Sequence, residues 1–212
     1  MLRRTALAAT LVLTSLQLQA TTYTLEPDYT QGVFRWNHLG FSSPAGQFAQ
    51  GQGTLEFDQA EPTRSRVKVT IPLSTLSTGV PLLDEDFRST DFFDTARYAN
   101  ATFTSTRVEK GATSGELTVT GDLDLHGVVK PVTLKVTIVK IGINPRTNLP
   151  TVGFDAVTTL KRSDFGLGKY VPQVSDEIEL HLISQAVEAK AYTQYLKERA
   201  EREAAAKKAA NN

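Results

Sequence analysis

Short runs in which apolar and polar residues alternate recur from residue 23 to residue 187, with turn residues between them. In the segment 66–73, for example, Val67, Val69 and Ile71 alternate with polar residues. Because the side chains of a β-strand point alternately to its two faces, such runs predict strands with one buried face. Eight strands are predicted, at residues 32–38, 46–57, 66–73, 101–108, 116–125, 132–139, 152–160 and 177–187.

The segment 121–136 predicts a β-hairpin with one apolar face. Two alternating runs meet at a reversal marked by Gly127 and Pro131. The segment offers apolar surface to bury but no nucleophile, metal cluster or phosphate-binding loop, which favours a container for a ligand over a catalyst. The inward positions are Leu123, Leu125, Val132, Leu134 and Val136.

The predicted strand 46–57 indicates how the sheet is closed. Phe48 is even-numbered, whereas Leu55 and Phe57 are odd-numbered, and Gly51 and Gly53 lie between them. A bulge or a sharp coil at these glycines would bring both sets of side chains to one face and bend the sheet. We therefore predict an all-β fold, an eight-stranded antiparallel barrel, with a two-sheet sandwich as the alternative.

Two segments break the strand pattern. Residues 80–96 combine Leu83, Phe87, Phe92 and Phe93 with several acidic residues, which predicts a short helical cap or rim at one end of the barrel. Residues 188–212 contain no glycine or proline, and their opposite charges at four-residue spacing predict a helix. This C-terminal helical tail is either solvated or a contact helix for the barrel, a partner or a membrane face.

The N-terminus has the layout of a secretory signal peptide. Arg3 and Arg4 precede an apolar stretch at 5–16, and a small residue, Ala20, marks the expected cleavage point. The alternative is a retained membrane helix, which the short apolar length disfavours. The domain organisation expected is a signal peptide at 1–20, a barrel at 21–187 and a charged helical tail at 188–212.

Composition narrows the function further. The chain has 23 basic and 23 acidic residues, with no concentrated basic run, so a nucleic-acid surface is not expected. It has no cysteine, which excludes disulfides, thiolate catalysis and thiolate metal ligands. The 192 residues that follow the expected cleavage point are enough for one domain with a sizeable core.

Few residues suggest chemistry. The three histidines, His38, His126 and His181, are not at metal-ligand spacing; His38, near aromatic residues, is the best candidate to meet the polar end of a ligand. A carboxylate pair from the acidic cluster of 84–94 could act as general acid and base, although solvated or helix-capping roles are favoured. Arg88 either pairs with those carboxylates or faces an anionic head group. The cluster comprises Asp84, Glu85, Asp86, Asp91 and Asp94.

The aromatic residues fit either a packed core or a ligand cavity. An eight-stranded barrel is just wide enough to be filled by side chains or to hold one small ligand, so the same wall serves both purposes. The sequence leaves these two possibilities open. The residues concerned are Phe34, Trp36, Phe48, Phe103 and Phe154.

Five segments in order resemble the YceI-like family of bacterial envelope proteins. They are Asn37-His38-Leu39-Gly40-Phe41-Ser42 with Gly46-Gln47-Phe48; Arg88-Ser89-Thr90-Asp91-Phe92-Phe93-Asp94; Ala101-Thr102-Phe103-Thr104-Ser105; the hairpin 121–136; and Arg162-Ser163-Asp164-Phe165-Gly166-Leu167 leading to Ser175-Asp176-Glu177. The resemblance covers residues 23–187. Asp86 departs from it, since the family commonly has a histidine there, and the charged tail lies outside it.

This resemblance implies a lipocalin-like barrel whose lumen holds a polyisoprenoid or an isoprenoid quinone in the periplasm. We expect a non-enzymatic carrier with no metal and no cofactor beyond the bound lipid. An amphiphilic isoprenoid lipid is the expected partner, and transient membrane contact and a homodimer stay open. The expected ligand-binding residues are Phe34, Trp36, His38, Phe41, Phe48, Arg88, Phe92, Phe103, Leu123, Leu125, Leu134 and Phe154.

Two other functions remain as alternatives. One is an envelope stress or structural protein that acts through its helical tail. The other is a hydrolase or isomerase of prenyl lipids, which would use the acidic cluster together with His38.

Overall fold

A computed structural model describes residues 20–210, so nearly all of the expected signal peptide lies outside the described residues. Strands β1 to β10 and helices α1 and α2 account for most of this range. Their bounds are β1 Thr21–Leu25, β2 Gln31–Arg35, β3 Ala45–Phe48, β4 Gln52–Phe57, β5 Arg66–Pro72, α1 Pro81–Arg88, β6 Asn100–Lys110, β7 Glu116–Leu125, β8 Val128–Ile143, β9 Pro150–Lys161, β10 Glu177–Glu188 and α2 Ala189–Ala210.

The strands form one antiparallel sheet that closes on itself. Starting from β1, the order is β4, β5, β6, β7, β8, β9 and β10, and β10 pairs again with β1. Strand β10 also pairs with β2, which pairs in turn with β3. Strands β1 and β2 thus lie end to end at one position round the barrel, and β3 and β4 share the next. The result is an eight-stranded barrel, which leaves the long strands without a free edge.

The breaks between these end-to-end strands bend the wall of the barrel. Residues 49–51 leave the sheet, and the amide of Gly51 donates to the carbonyl oxygen of Thr30 at 3.0 Å. A Cβ atom on Gly51 would crowd the side chain of Thr30. Of the two forms predicted near Gly51, the structure has the coil: the chain leaves the sheet at 49–51 between β3 and β4.

The β7–β8 hairpin turns at His126 and Gly127. Both residues have positive φ, 54° and 74°, and Leu125 pairs with Val128 across the turn. Such a two-residue turn matches the right-handed twist of its flanking strands. Strand β8 is longer than the sequence predicted and contains an irregularity between Ile138 and Lys140.

Helix α1 lies at the end of the barrel where β5 finishes, which we call the α1 end. Its residues Leu83 and Phe87 pack against a buried cluster of Phe34, Trp36 and Leu76. Pro81 occupies the first turn of α1, where a missing amide hydrogen costs nothing. The short helical cap predicted at 80–96 therefore exists as two turns of helix followed by an irregular segment.

Helix α2 contacts β1 and β10 through its first turns only. The carboxylate of Glu188 accepts hydrogen bonds from the amides of Lys190 and Ala191, which caps the start of the helix. Ala191, Tyr192 and Tyr195 are partly buried, and residues 196–210 are exposed. Neither described helix has a stretch long and apolar enough to cross a bilayer.

The fold class is confirmed: the chain forms a closed eight-stranded antiparallel barrel with a short helix between strands and a C-terminal helix. The sandwich alternative is excluded because the sheet closes through β10 and β1. Strand β1 was not among the predicted strands, since Thr21–Leu25 contains only two apolar side chains, Tyr23 and Leu25.

Candidate functional site: the barrel cavity

The interior of the barrel holds a cavity of about 830 Å³. Its wall is built from inward side chains of all ten strands, and it extends from Tyr170 at the α1 end to Ser65 near the opposite end. Of the six exposed residues that line it, Arg66 lies at the opposite end and five gather at the α1 end, so the cavity reaches solvent there. These five are His38, Asp86, Ser89, Asp91 and Tyr170.

The hairpin β7–β8 contributes one wall of this cavity. All five positions assigned to its inward face line the cavity, and Val132 and Leu134 are also among the most buried residues. Because β7 and β8 keep strict alternation here, the polar residues between these positions point outward. The lining positions are Leu123, Leu125, Val132, Leu134 and Val136.

Most of the residues predicted to bind ligand lie on the cavity wall. They come from β2, β3, β6, β7, β8, β9 and the segment after α1, and the barrel brings them together from distant parts of the chain. They are Phe34, Trp36, His38, Phe48, Phe92, Phe103, Leu123, Leu125, Leu134 and Phe154.

Phe41 and Arg88 lie elsewhere. The side chain of Phe41 is 91% exposed at the tip of a tight turn, outside the cavity. The guanidinium of Arg88 donates to the carbonyl oxygen of Leu76 and does not line the cavity. This contact holds α1 against the chain that leads into it. The positive charge of Arg88 also helps to lower the pKa of the Asp84 carboxyl, so Arg88 interacts with the acidic cluster rather than with the cavity.

An aromatic cluster forms the wall beneath α1. The ring of Phe34 stacks on Phe48 at 5.3 Å between centroids and on Trp36 at 5.6 Å. Phe87 meets Trp36 edge-on at 5.4 Å, and Phe93 meets Phe48 edge-on at 5.3 Å. These offset and edge-on contacts are the geometries that aromatic rings favour. They fix α1 and the following segment over the cavity.

The rim at the α1 end carries one ion pair across the cavity opening. Lys169 is hydrogen-bonded to the carboxylate of Asp91, and this contact raises the pKa of Lys169. The ammonium group also lies 5.1 Å from the ring centre of Tyr170 and 5.7 Å from that of Phe92. The segment after α1 is thereby joined to the loop that follows β9. We call this the 91–169 bridge.

Arg162 lines the cavity and stabilises the loop at 166–176 by hydrogen bonds to its backbone. Its guanidinium donates to the carbonyl oxygens of Ser175 at 2.8 Å and Val174 at 3.1 Å, and also to that of Leu167. Burial lowers the pKa of Arg162, with Asp176 acting in the opposite direction. Since its donors are engaged by the backbone, Arg162 is a structural residue of the cavity wall. The sequence showed it only as part of a family segment.

The acidic cluster at 84–94 is dispersed in the structure. Asp84 is buried and accepts hydrogen bonds from the amide and the hydroxyl of Thr78, both at 2.6 Å, which lowers its pKa. Asp91 belongs to the bridge, and Glu85 and Asp86 are exposed. Within residues 20–210, no three His, Asp or Glu side chains are grouped closely enough to hold a metal ion.

The other two histidines lie outside the cavity. His126 is half-buried against Tyr98, with ring centres 4.5 Å apart, and its Nδ1 lies 3.1 Å from the carbonyl oxygen of Phe165. His181 is exposed on β10. Of the three histidines, only His38 is both exposed and part of the cavity lining.

One hydroxyl pair interrupts the apolar lining deeper in the barrel. Thr30 and Ser184 are hydrogen-bonded to each other, with their oxygen atoms 3.0 Å apart, and both line the cavity. One hydroxyl donates to the other, so the pair brings no charge to the lining. Gln31, Ser65 and the exposed Arg66 also line the part of the cavity away from the α1 end, and the rest of that lining is apolar, which suits a largely apolar molecule.

Comparison with known proteins gives a consistent result. A family model described as the YceI-like domain matches residues 23–186. The protein YceI of Escherichia coli O157:H7 is 39% identical over 157 residues, which are 74% of this chain and 81% of that protein. A UPF0312 protein of Shewanella baltica strain OS185 is 36% identical over 156 residues, covering 73% and 80% of the two chains.

Solved structures show the same fold. BcnA of Burkholderia cenocepacia matches with a TM-score of 0.65 at 25% identity, over 74% of this chain and 95% of that one. The YceI protein of Campylobacter jejuni matches at 0.62 and 26%, over 72% and 89%. A polyisoprenoid-binding domain of Saccharophagus degradans matches at 0.62 over 79% and 99%, and at 17% identity this likeness shows the fold alone. The chain belongs to the YceI-like family.

Proposed function

We propose that this protein is a non-enzymatic carrier that holds one long-chain polyisoprenoid or isoprenoid quinone in its barrel. The single observation that carries this proposal is the apolar cavity of about 830 Å³ that opens beside α1. The volume lies in the upper part of the usual range for small-molecule sites, about 300–1,000 Å³.

The shape of the cavity favours a chain-like ligand. Its lining residues extend along most of the barrel, from Tyr170 to Ser65, so a compact molecule would leave much of the wall uncovered. Aliphatic side chains of β7, β8 and β10 line the middle, and aromatic side chains line the α1 end. A branched, unsaturated hydrocarbon can contact both kinds of surface along its length.

Energetics favour exchange over tight capture. At about 0.8 kcal/mol per methylene, moving a forty-carbon chain out of water would nominally give about 32 kcal/mol, beyond the ceiling of roughly 21 for non-covalent binding. Such lipids start in a membrane, which is already apolar. The net preference for the barrel is therefore small, as a shuttle or a reservoir requires.

The polar end of the ligand belongs at the α1 end. His38 and Lys169 are the cationic or hydrogen-bonding side chains of the cavity lining there, with Asp86 and Asp91 beside them. A head group that remains at the rim keeps its contact with water, whereas the Thr30–Ser184 pair deeper inside already satisfies itself. The ligand therefore binds with its chain inward and its head group outward.

The proposed location is the periplasm. The sequence of residues 1–20 has the layout of a secretory signal, and family membership agrees with an envelope protein. The proposal needs no metal or cofactor besides the lipid. In an aqueous compartment, a carrier needs an apolar cavity to keep the hydrocarbon chain of the lipid away from water.

The test is native mass spectrometry of the protein purified from a bacterial envelope, followed by lipid extraction. We expect one prenyl lipid per barrel, exchangeable with vesicles that contain a polyprenol. Recovery of an empty barrel that takes no polyprenol from vesicles would overturn the proposal. Turnover of a bound prenyl lipid that His38→Ala or Asp91→Asn abolishes, with binding kept, would favour the hydrolase or isomerase alternative instead.

A further inference from the structure

We propose that the α1 end of the barrel is a bilayer-docking surface, built to place the cavity opening on the head-group region of a membrane. This inference rests on the proposed carrier function and names the partner with which the carrier exchanges lipid. The surface consists of three segments, 36–47, 76–83 and 170–175, which we call the docking face.

The first observation is the exposure of large apolar side chains on the docking face. Phe41 is 91% exposed, Leu82 75% and Tyr170 58%, and the exposure of Val80 and Leu39 is close to half. Burying such side chains at a lipid interface is favourable, and aromatic residues are enriched where membranes meet water. Backbone bridges join the three segments, from Gln47 to Ser77 and from His38 to Val174, and several large apolar side chains exposed on one face mark an interaction site.

The second observation is the absence of charge from these segments. Together they contain 26 residues without an aspartate, glutamate, lysine or arginine. At the charged fraction of the whole chain, 22%, segments of this combined length would carry about six such residues. Charged side chains resist transfer into the bilayer, so an uncharged surface is what insertion into a membrane requires.

The third observation is that backbone hydrogen bonds close the exposed tip at 38–42 into a tight turn. The amide of His38 donates to the carbonyl oxygen of Ser42 at 2.8 Å, and the amide of Gly40 donates to the side chain of Asn37 at 2.7 Å. Leu39 has φ of 58°, in the left-handed region that leucine seldom adopts. The tip therefore presents its apolar side chains outward instead of folding them against the barrel, and membrane contact costs it little ordering.

The tip is also joined to the rim of the cavity. Asn37 and Ser175 exchange two hydrogen bonds, at 2.9 and 3.0 Å, which tie the tip to the loop that carries Tyr170. His38 and Tyr170 both line the cavity. Because of this continuity, a membrane that receives Phe41 would lie directly against the cavity opening, and a lipid would pass between them without crossing water.

These features favour a bilayer over a protein partner. The docking face itself has no aspartate, glutamate, lysine or arginine to fix the register of a protein partner. It lies beside the opening of a lipid cavity, whose rim also holds Asp86 and the paired Asp91 and Lys169. Nearby residues Glu85, Asp86 and Asp91 are acidic, so attraction to anionic lipids does not drive the contact. Binding should therefore depend on apolar insertion and persist at high salt.

The main test replaces the apolar side chains of the tip. The variant Leu39→Asn with Phe41→Ser should fold normally, because asparagine tolerates positive φ and Phe41 has no packing to lose. Val139→Ser with Val157→Ser is the matched control, since it removes two half-exposed side chains from the barrel wall. Co-sedimentation with vesicles of phosphatidylethanolamine and phosphatidylglycerol measures binding, and transfer of a fluorescent polyprenol between vesicles measures exchange.

We expect vesicle binding and polyprenol transfer by the tip variant to be lower than those of wild type by at least about tenfold. The reason is that the substitutions remove apolar area that would be buried in the bilayer. Its equilibrium loading from detergent solution should stay unchanged, and the control variant should behave as wild type. Vesicle binding and transfer at the wild-type level would overturn the inference. A wild-type protein that loads no polyprenol from detergent would instead refute the carrier function, whatever its vesicle binding.

A second measurement locates the contact and separates a membrane from a second copy of this chain. Phe41→Trp should be quenched by brominated lipids in vesicles, whereas Val139→Trp should not. Sedimentation velocity without vesicles should give the same monomeric size for wild type and the tip variant. A wild-type dimer that the tip variant dissociates would overturn the inference and assign this surface to self-association.

Discussion

Gly53 lies where two strands of the barrel wall come close together. A Cβ atom on Gly53 in β4 would overlap the carbonyl oxygen of Lys68 in β5, and backbone atoms cannot move aside as a flexible side chain can. Gly142 in β8 is a matched position without this restriction, because its nearest atom would be Lys140 Cε at 3.8 Å. We therefore expect Gly53→Ala to lower the free energy of unfolding by about 1–3 kcal/mol.

Urea unfolding monitored by circular dichroism would measure this effect. Gly142→Ala should change the free energy of unfolding by much less than Gly53→Ala does. Equal effects of the two substitutions would show that the β4–β5 contact does not constrain the barrel.

Glu26 is a buried carboxyl group at the junction between β1 and β2. Its Oε2 has no hydrogen-bond partner among the described residues, and burial raises its pKa, with Asp28 adding to the rise and Arg146 opposing it. A raised pKa means that the folded state binds the proton more tightly than the unfolded state. The ionised group therefore destabilises the fold above this pKa, and the penalty falls as pH drops through it.

We expect Glu26→Gln to stabilise the protein at pH 7 and to lose this advantage progressively at pH values below the raised pKa. Thermal unfolding from pH 4 to 8 would check this, with the exposed Glu201→Gln as the control. A stability difference between Glu26→Gln and wild type that is independent of pH would contradict the assignment.

Individual side chains were predictable where alternation alone decides their direction. Leu123 and Leu134 fall on the cavity wall because their strands are regular. Phe41 was predicted to bind ligand but lies outside the cavity, because the positive φ angles of Leu39 and Gly40 turn the chain outward and expose the aromatic ring. The partner of Asp91 is 78 residues away in the chain, so only the closed barrel brings Lys169 to it.

At the level of elements, the 91–169 bridge ties the segment after α1 to the loop after β9. Its two side chains are 62% and 34% exposed, so solvent weakens the ion pair, and exposed pairs contribute about 0–1 kcal/mol. We expect Asp91→Asn to speed release of the bound lipid by up to about fivefold, since the cap then opens more readily. Release into excess acceptor vesicles would measure this.

Asp164→Asn is the control for the bridge, because it breaks a similarly exposed pair with Lys130, 3.0 Å apart, that does not span the opening. An unchanged release rate in Asp91→Asn would show that the bridge does not restrain the cap.

The packing of helix α2 on the barrel can also be tested. Its first turns pack on the barrel, whereas residues 197–210 are exposed. We expect removal of 197–212 to change the free energy of unfolding by less than about 0.5 kcal/mol. Removal of 189–212 should cost about 1–3 kcal/mol because Tyr192 and Tyr195 lose their packing. Urea unfolding would separate the two truncations.

Both truncated proteins should still load a prenyl lipid if the barrel alone binds it. If the protein without 197–212 lost its loading while its barrel stayed folded, the result would instead support a function that depends on the helical tail.

Most elements followed from local pattern, and the exceptions have physical causes. Strands β5, β7, β9 and β10 were predicted closely because each alternates without interruption. Strand β1 and the break at 49–51 depend on pairing between distant segments, as the contact of Gly51 with Thr30 shows. Local sequence carries little information about such contacts.

For the whole molecule, the decisive property is whether the barrel is filled or hollow. The sequence left this open, because the same apolar alternation serves a packed core and a cavity wall. Three buried clusters support the wall, yet a cavity of about 830 Å³ remains between the inward side chains. The combination of a closed sheet and a hollow, apolar lumen is what supports the carrier function.

The most direct test of this account fills the cavity. Ala156 on β9 lines the cavity, and its neighbour Val157 is 47% exposed on the outer face of the same strand. Native mass spectrometry of Ala156→Phe and Val157→Phe, purified alongside wild type, would compare the fraction of barrels that carry a lipid. If the lipid binds in the lumen, Ala156→Phe should be folded and largely empty, and Val157→Phe should be loaded as wild type is. A folded Ala156→Phe that carries as much lipid as wild type would contradict binding in the lumen.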